Sequence, residues 1–158
     1  GIRGNAGNMF PRAWTDNALT SEHVPLLFYA PSLLQPALRT DICSQIDIFP
    51  SVASLSGQAF HNYTLGRNLF DNSDTTPDET IRQCAFIFDP ESRRIGMFDS
   101  NFFYSRPISN GEENLVSIKN NDPVGNSDLV QKREDQLRNL TDAYYQTAKY
   151  LLFNNKRK

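Results

Sequence analysis

The sequence has little from which to build a metal or disulfide framework: two cysteines and two histidines in 158 residues. Cys43 and Cys84 lie far apart, and neither sits in a Cys-x-x-Cys or Cys/His pattern, which argues against a zinc site. Two buried free thiols is the direct reading; a single disulfide is the alternative in an oxidising compartment. An excess of either charge is also missing, since 16 basic and 18 acidic residues leave a net charge of −2. Without a basic stripe, a dedicated nucleic-acid binder is excluded. The one basic cluster, Lys156-Arg157-Lys158, reads as a solvated tail, with a phosphate or lipid-headgroup contact as the minority reading. Long apolar runs are missing too. Val24–Ala30 is of strand length, far short of the roughly 20 residues of a membrane helix.

The familiar catalytic patterns are equally absent. There is no Gly-x-Ser-x-Gly elbow, no phosphate-cradling glycine loop and no His-Glu-x-x-His helix. The glycines of Gly1–Gly7 have no strand ahead of them and no Lys-Ser/Thr behind. That opening has no signal-peptide character and reads as a loop leading straight into a core strand, so further sequence is expected upstream. Asn62-Tyr63-Thr64 and Asn139-Leu140-Thr141 match the glycosylation triplet and are read as chance.

What is present suits one domain, with room for two small subdomains. A chain of this length buries roughly 70% of its unfolded surface, and 39% apolar and 11% aromatic residues supply the material. Residues 1–22 read as irregular, with Trp14 expected to pack on a neighbour. Val24-Pro25-Leu26-Leu27-Phe28-Tyr29-Ala30 is continuously apolar, as in a strand buried on both faces of an α/β sheet. Ser32–Asp41 reads as a loop. Pro50 is placed for the first turn of a helix through Leu55, with Asp47 near its start and Gly57 as a left-handed cap. Asp47 is an acid in an apolar setting, and a cap or an arginine pair is its expected role. His23, beside the apolar run, and His61, in a polar stretch, are both read first as ordinary surface histidines.

Beyond a surface loop at Asp71–Glu79, antiparallel strands are expected within residues 81–119: Ile81–Phe88, Arg93–Phe98, Asn101–Ser105 and Leu115–Lys119. Turns are expected at Asp89-Pro90-Glu91-Ser92 and Asn110-Gly111. The strongest signal is a helix over 128–153. Ser127 or Asp128 is its N-cap, and Val130, Leu137, Leu140, Tyr144, Ala148 and Leu151 form its apolar stripe, interrupted by Arg133 and Glu134.

Three segments carry a resemblance. His23-Val24-Pro25-Leu26-Leu27-Phe28-Tyr29-Ala30-Pro31 is similar to a proline-bounded strand of sulfatase-like enzymes in the alkaline phosphatase superfamily. Cys43-Ser44-Gln45-Ile46-Asp47-Ile48-Phe49-Pro50-Ser51, followed by Leu55-Ser56-Gly57, resembles that family's Ser-Gln-x-Asp-Ile-x-Pro-Thr and Leu-Leu-Gly. Leu65-Gly66-Arg67-Asn68-Leu69-Phe70 resembles its x-Gly-Arg-Asp-Leu-Leu, with Asn68 in place of Asp. The branch of lipoteichoic acid synthases and phosphoglycerol transferases is nearest, and Asp142–Leu152 is similar to its terminal helix. The resemblance covers about residues 23–70 and, more loosely, 128–155.

The resemblance implies the C-terminal portion of an alkaline-phosphatase-like α/β sandwich, with a small antiparallel sheet and a long C-terminal helix. It divides the chain into an N-terminal segment (1–22), the end of the sulfatase-like core (23–70) and a C-terminal subdomain (71–158). It implies metal-dependent transfer or hydrolysis of a phosphate or sulfate ester, with a divalent cation (Mn, Zn, Mg or Ca) in the intact enzyme. The nucleophile and most metal ligands, including an Asp-His pair, lie upstream of the Val24 strand in that family. No residue here matches them, so the expected catalytic and metal sets of this chain are empty. Asp47, Pro50, Gly66 and Arg67 are structural motif residues in this reading, and His23 lies on the site's rim. The expected partners are the upstream catalytic part, a phospholipid headgroup or ester substrate, and possible self-association through uncovered apolar surface. The parent is expected at a bacterial inner membrane with its catalytic domain in the periplasm. A stand-alone binding module and an inactive paralogue are the alternatives.

Overall fold

A computed structural model of the chain describes residues 9–71, 83–109 and 111–155. At its centre is an antiparallel sheet of order β1-β2-β3-β4, made of Ala85–Asp89 (β1), Arg94–Phe98 (β2), Phe102–Pro107 (β3) and Asn114–Ser117 (β4). Its register sets Phe86 opposite Met97, Met97 opposite Tyr104, and Tyr104 opposite Leu115. Successive residues on a strand point to opposite faces, so Ala85, Phe98, Phe103 and Val116 form the matching row on the other face.

Both faces are covered. The Phe86 row packs with Cys84 and with Leu137, Leu140 and Tyr144, which lie on the long helix α4 (Asp128–Asn154). The Phe98 row packs with Trp14, Leu19 and Ile118. The fold is therefore mixed α/β, a small sheet between a long helix and two short ones. Cover on both sides explains why these strands alternate only loosely between apolar and polar residues.

The short helices are α1 (Arg12–Asp16) and α2 (Leu19–Glu22). They correct the expectation that residues 1–22 are irregular, although residues 1–8 lie outside those described. Five and four residues long, they are held by tertiary contacts rather than by propensity. Leu19 is buried against the sheet, and the Trp14 indole donates to the Ile118 carbonyl at 2.9 Å. Trp14 thus packs as its size demands.

α4 begins where expected, with Ser127 Oγ accepting from the Val130 N–H at 3.3 Å. Of the charges interrupting its stripe, Glu134 pairs with Arg138 on the same helix and Arg133 finds its partner across the interface. Arg133 Nε donates to Asp99 Oδ2 at 2.7 Å. The other Asp99 oxygen accepts from the N–H groups of Asn101 (2.7 Å) and Phe102 (2.6 Å), closing the β2–β3 turn. Arg106 reaches Asp142. Arg138 pairs with Glu113 at 2.6 Å and lies 5.8 Å above the Tyr104 ring.

Pro50 lies in the first turn of α3 (Ile48–Leu55), as expected, and a 3-10 turn at Gln45–Asp47 precedes that helix. Proline is tolerated there because the first N–H groups of a helix have no intrahelical partner. Gly57 takes the left-handed conformation, at φ +68. Val24–Ala30, expected as a strand buried on both faces, forms no strand among the described residues, with Leu27 84% and Tyr29 86% exposed. A strand needs a neighbour for its backbone groups, and the four-stranded sheet supplies none to this segment. Asn110 of the expected Asn110-Gly111 turn, and most of the Asp71–Glu79 loop, fall outside the described residues.

Gly96 marks the tightest point of the sheet. A Cβ there would lie 2.4 Å from the Tyr104 carbonyl oxygen and 2.7 Å from the Phe103 ring. Gly96→Ala is expected to destabilise the fold by about 1–3 kcal/mol through overpacking. Gly125→Ala, which meets nothing within 4 Å, is expected to be neutral. Urea unfolding followed by circular dichroism compares them, and equal midpoints would refute the packing assignment.

Candidate functional site

The most ordered arrangement of motif residues is a polar knot around Asp47. Its side chain is buried at 2% exposure, which is costly for a carboxylate unless its oxygens are satisfied. They are. Oδ2 accepts from the Ser44 N–H at 2.9 Å and from Arg67 Nη2 at 3.2 Å. Oδ1 accepts from the Arg67 N–H at 2.7 Å. Arg67 Nη2 also donates to the Ile42 carbonyl at 2.9 Å. One acid thereby fastens Ile42–Ser44 and Arg67 to the turn that starts α3. Both halves of the expectation hold: Asp47 pairs with Arg67, and it takes the Ser44 N–H in the capping box that opens the Gln45–Asp47 turn.

Ser51 adds a second tie. Its hydroxyl donates to the Asp47 carbonyl at 2.6 Å and accepts from the Leu69 N–H at 2.9 Å. Gly66 is required by close approach, because a Cβ would fall 1.9 Å from the Ile46 carbonyl oxygen. Asn62 Nδ2 holds the Gly66 carbonyl at 2.7 Å while its Oδ1 accepts from Thr64 N and Oγ1. Asn62 is thus occupied within its own loop, and Thr141 of the other glycosylation triplet is buried in α4. Pro50, also buried, completes the set. Asp47, Pro50, Gly66 and Arg67 belong to one knotted unit, and the polar groups that would carry chemistry there are engaged in holding backbone.

His23 stands apart from the knot's hydrogen bonds. It ends α2, with its N–H donated to the Leu19 carbonyl at 3.0 Å. Its ring meets Trp14 edge-on at 5.3 Å and Phe10 at 5.8 Å. It lines a cleft of about 1290 Å³ between the 23–48 segment, β1 and the end of α4. The walls are mostly apolar, with Val24, Leu26, Ile46, Phe86, Tyr144 and Leu151 among them, and Arg39, Asp41 and Cys43 also line it. Arg39 and Asp41 pair with each other at 2.7 Å, and Arg39 also donates to the Leu69 carbonyl. His61 sits beside Tyr63, with ring centroids 6.0 Å apart.

Among the described residues, no three His, Cys, Asp or Glu side chains come together as a metal site would require. These residues do not by themselves fit a divalent cation, and no chemical step is routed through one. Cys43 is partly buried and forms no disulfide, and Cys84 is buried with Arg133 Nη2 3.9 Å from its sulfur. Burial pushes the Cys84 thiol up to about 11, against the opposing pull of the Arg133 guanidinium. Burial first, and then Asp47, raise Cys43 as well. Thiols held protonated in this way are poor nucleophiles.

Sequence reasoning missed the Asp99–Arg133 pair. The available signal was Arg133 itself, a cation inside an otherwise apolar helical stripe, which stays there only if paired. Compared with protein-family models, with curated proteins and with solved structures, the chain matches none.

Two outcomes follow for stability. Removing one partner of a buried ion pair costs about 3–5 kcal/mol, so Asp47→Ala is expected to loosen residues 42–70 by that order and to raise their hydrogen exchange, leaving β1–β4 protected. Exchange unchanged in 42–70 would show that the carboxylate does not organise the segment. For Cys84, the folded value lies above the ordinary 9.0, so the unfolded thiol ionises first. Stability is then full below pH 9 and falls as pH rises toward 11. Cys84→Ala is expected to flatten that alkaline slope in a pH series of urea melts; an unchanged slope between those pH values would contradict the assignment.

Proposed function

We propose that this chain is the C-terminal portion of a sulfatase-like, metal-dependent enzyme of the alkaline phosphatase superfamily, in the phosphoglycerol-transferase branch, and that it is inert by itself. The observation carrying this reading is the Asp47 knot. The Ser44-Gln45-x-Asp47-Ile48-x-Pro50 segment and the Gly66-Arg67 segment were linked only by resemblance, and they meet through the Asp47 carboxylate. A motif whose polar groups are spent on backbone suits an architectural role beside a catalytic centre.

The uncovered 24–63 segment supports the same reading. Leu27, Tyr29, Leu33, Leu38, Phe49 and Tyr63 are all more than half exposed, and patches of that kind seek cover. In the proposed parent, Val24–Ala30 joins the main sheet of the α/β sandwich, and helices contributed by the upstream part close over it. The nucleophile and the divalent cation (Mn, Zn, Mg or Ca) belong to that upstream part, which supplies the attacking group and the charge stabilisation. His23 borders the substrate's approach. The substrate is a phospholipid headgroup or another phosphate or sulfate ester, and the parent sits at a bacterial inner membrane facing the periplasm. Separated from that body, the chain self-associates through the uncovered segment.

Purified chain is expected to show no turnover of p-nitrophenyl sulfate or bis-p-nitrophenyl phosphate with any of those four cations. Metal-dependent turnover that tracks with the purified chain would overturn the claim that it is inert. The family reading is tested separately by the gene sequence preceding the Gly1 codon. An Asp-His segment and a threonine or serine nucleophile are expected there, and a start codon with neither would sink it.

A further inference from the structure

We infer that the apolar cleft beside β1 takes the Val24–Ala30 segment of a second copy of this chain as an added strand. The inference deepens the self-association stated above and rests on it, while standing apart from the family reading. β1 is terminal in the sheet order, so one of its edges has no neighbouring strand among the described residues. That edge faces the cleft. Ala85, Phe86, Ile87 and Phe88 all line it. Successive side chains point to opposite faces, so four residues in a row line a cavity where it meets the strand's edge rather than one face. Every second residue of such an edge turns its N–H and C=O outward, ready to pair. Edges are normally blunted by a charge or a proline, yet Cys84–Phe88 carries neither.

The same chain holds the matching strand. Val24–Ala30 has a strand's length and no charge, and among the described residues no hydrogen bond reaches the backbone of Val24–Tyr29. In the proposed parent the main sheet takes this segment up; in the chain alone it is left unpaired. Pro25 has no N–H to give, so Leu26–Tyr29 are the pairing residues. Val24, Leu26, Leu38, Ile46, Phe88 and Leu152 are exposed and line the cleft. With Leu27 and Tyr29 they present on the order of 1000 Å² of apolar surface, at roughly 200 Å² for a fully exposed large side chain. A standard interface takes about 800 Å² from each partner, so the area suffices for a stable dimer. Charge does not oppose it, since Arg39 and Asp41 on the cleft wall neutralise each other at 2.7 Å. A lipid chain or other apolar ligand would fill the volume but leave the backbone groups of β1 unpaired, whereas an added strand satisfies both. Exchange of the segment by both copies makes each contact twice about a two-fold axis and closes the assembly as a dimer.

Sedimentation velocity of the 158-residue chain across a concentration series tests this, with hydrogen exchange at the same concentrations. A monomer–dimer equilibrium is expected, and the amides of Leu26–Tyr29 and of β1 should gain protection together as the dimer forms. Leu27→Lys with Tyr29→Lys, both highly exposed, and separately Phe88→Lys on β1, are each expected to weaken the dimer on the order of 30-fold. Circular dichroism checks that each variant keeps its fold. Mixed together, the two variants are expected to dimerise more tightly than either alone, because the mixed dimer keeps one unaltered pairing: the segment of the Phe88→Lys copy on β1 of the other. A chain that stays monomeric throughout would overturn both the self-association and this inference. A dimer that survives both substitutions, that leaves β1 unprotected, or whose variants gain nothing on mixing would overturn this pairing alone.

Discussion

Everything in residues 42–70 depends on one buried carboxylate. Asp47 takes an N–H group from each of two strands of chain, Ser44 and Arg67, and an arginine side chain besides. Without those donors its burial would be prohibitive; with them, a stretch lacking any sheet and holding only one eight-residue helix has a defined shape. The close approach at Gly66 follows from the same constraint. Drawing the Arg67 N–H onto Oδ1 brings the preceding residue against the Ile46 carbonyl, and only a residue without a Cβ fits.

The same device recurs in the sheet unit. Asp99 receives two backbone N–H groups on one oxygen and Arg133 on the other. In both places a carboxylate at a turn collects local backbone donors, and an arginine distant in sequence locks that turn to a second segment. The settings differ. Arg133 reaches Asp99 across an interface already packed by Met97, Tyr104 and Leu137, so the ion pair there orients a helix that apolar burial also holds. At Asp47 the ion pair acts where surrounding apolar side chains are largely uncovered. Polar geometry carries correspondingly more of the local order.

Elements with strong local signals were legible in the sequence. The 128–153 helix follows from a 3.6-residue stripe and a serine cap, and the hairpin around Asp89-Pro90 follows from turn chemistry. Strand positions emerged but their ends moved: Asn101–Ser105 became Phe102–Pro107 because the Asp99 side chain claims the N–H groups of Asn101 and Phe102. The helices at Arg12 and Leu19 were not legible, because contacts far along the chain, such as Trp14 to Ile118, stabilise them. At the candidate site, Asp47 was readable as an acid needing a partner. Its partner was named only as one residue of a resemblance motif, and nothing in residue spacing alone brings Arg67 to Asp47. Val24–Ala30 shows the opposite case: the apolar run reads as a buried strand, yet among the described residues it forms no strand and is largely exposed, because pairing depends on a neighbour that local sequence does not encode.

The contrast between a satisfied polar knot and an uncovered apolar segment bears on how the 23–70 region acts. Association loses affinity to the ordering of loops and side chains that were free beforehand. Here the loop joining Asp47 to Arg67 is already pinned at both ends, and Ser51 and Asn62 fix it further along. Phe49, Val52 and Tyr63 are exposed on this fixed frame. A partner that covers them gains the burial of apolar area without having to order the backbone that presents it. Hydrogen bonds placed inward, where a free loop would leave them to water, give a segment too small to bury its own core a fixed frame, and the proposal of an upstream body that covers it draws on that frame.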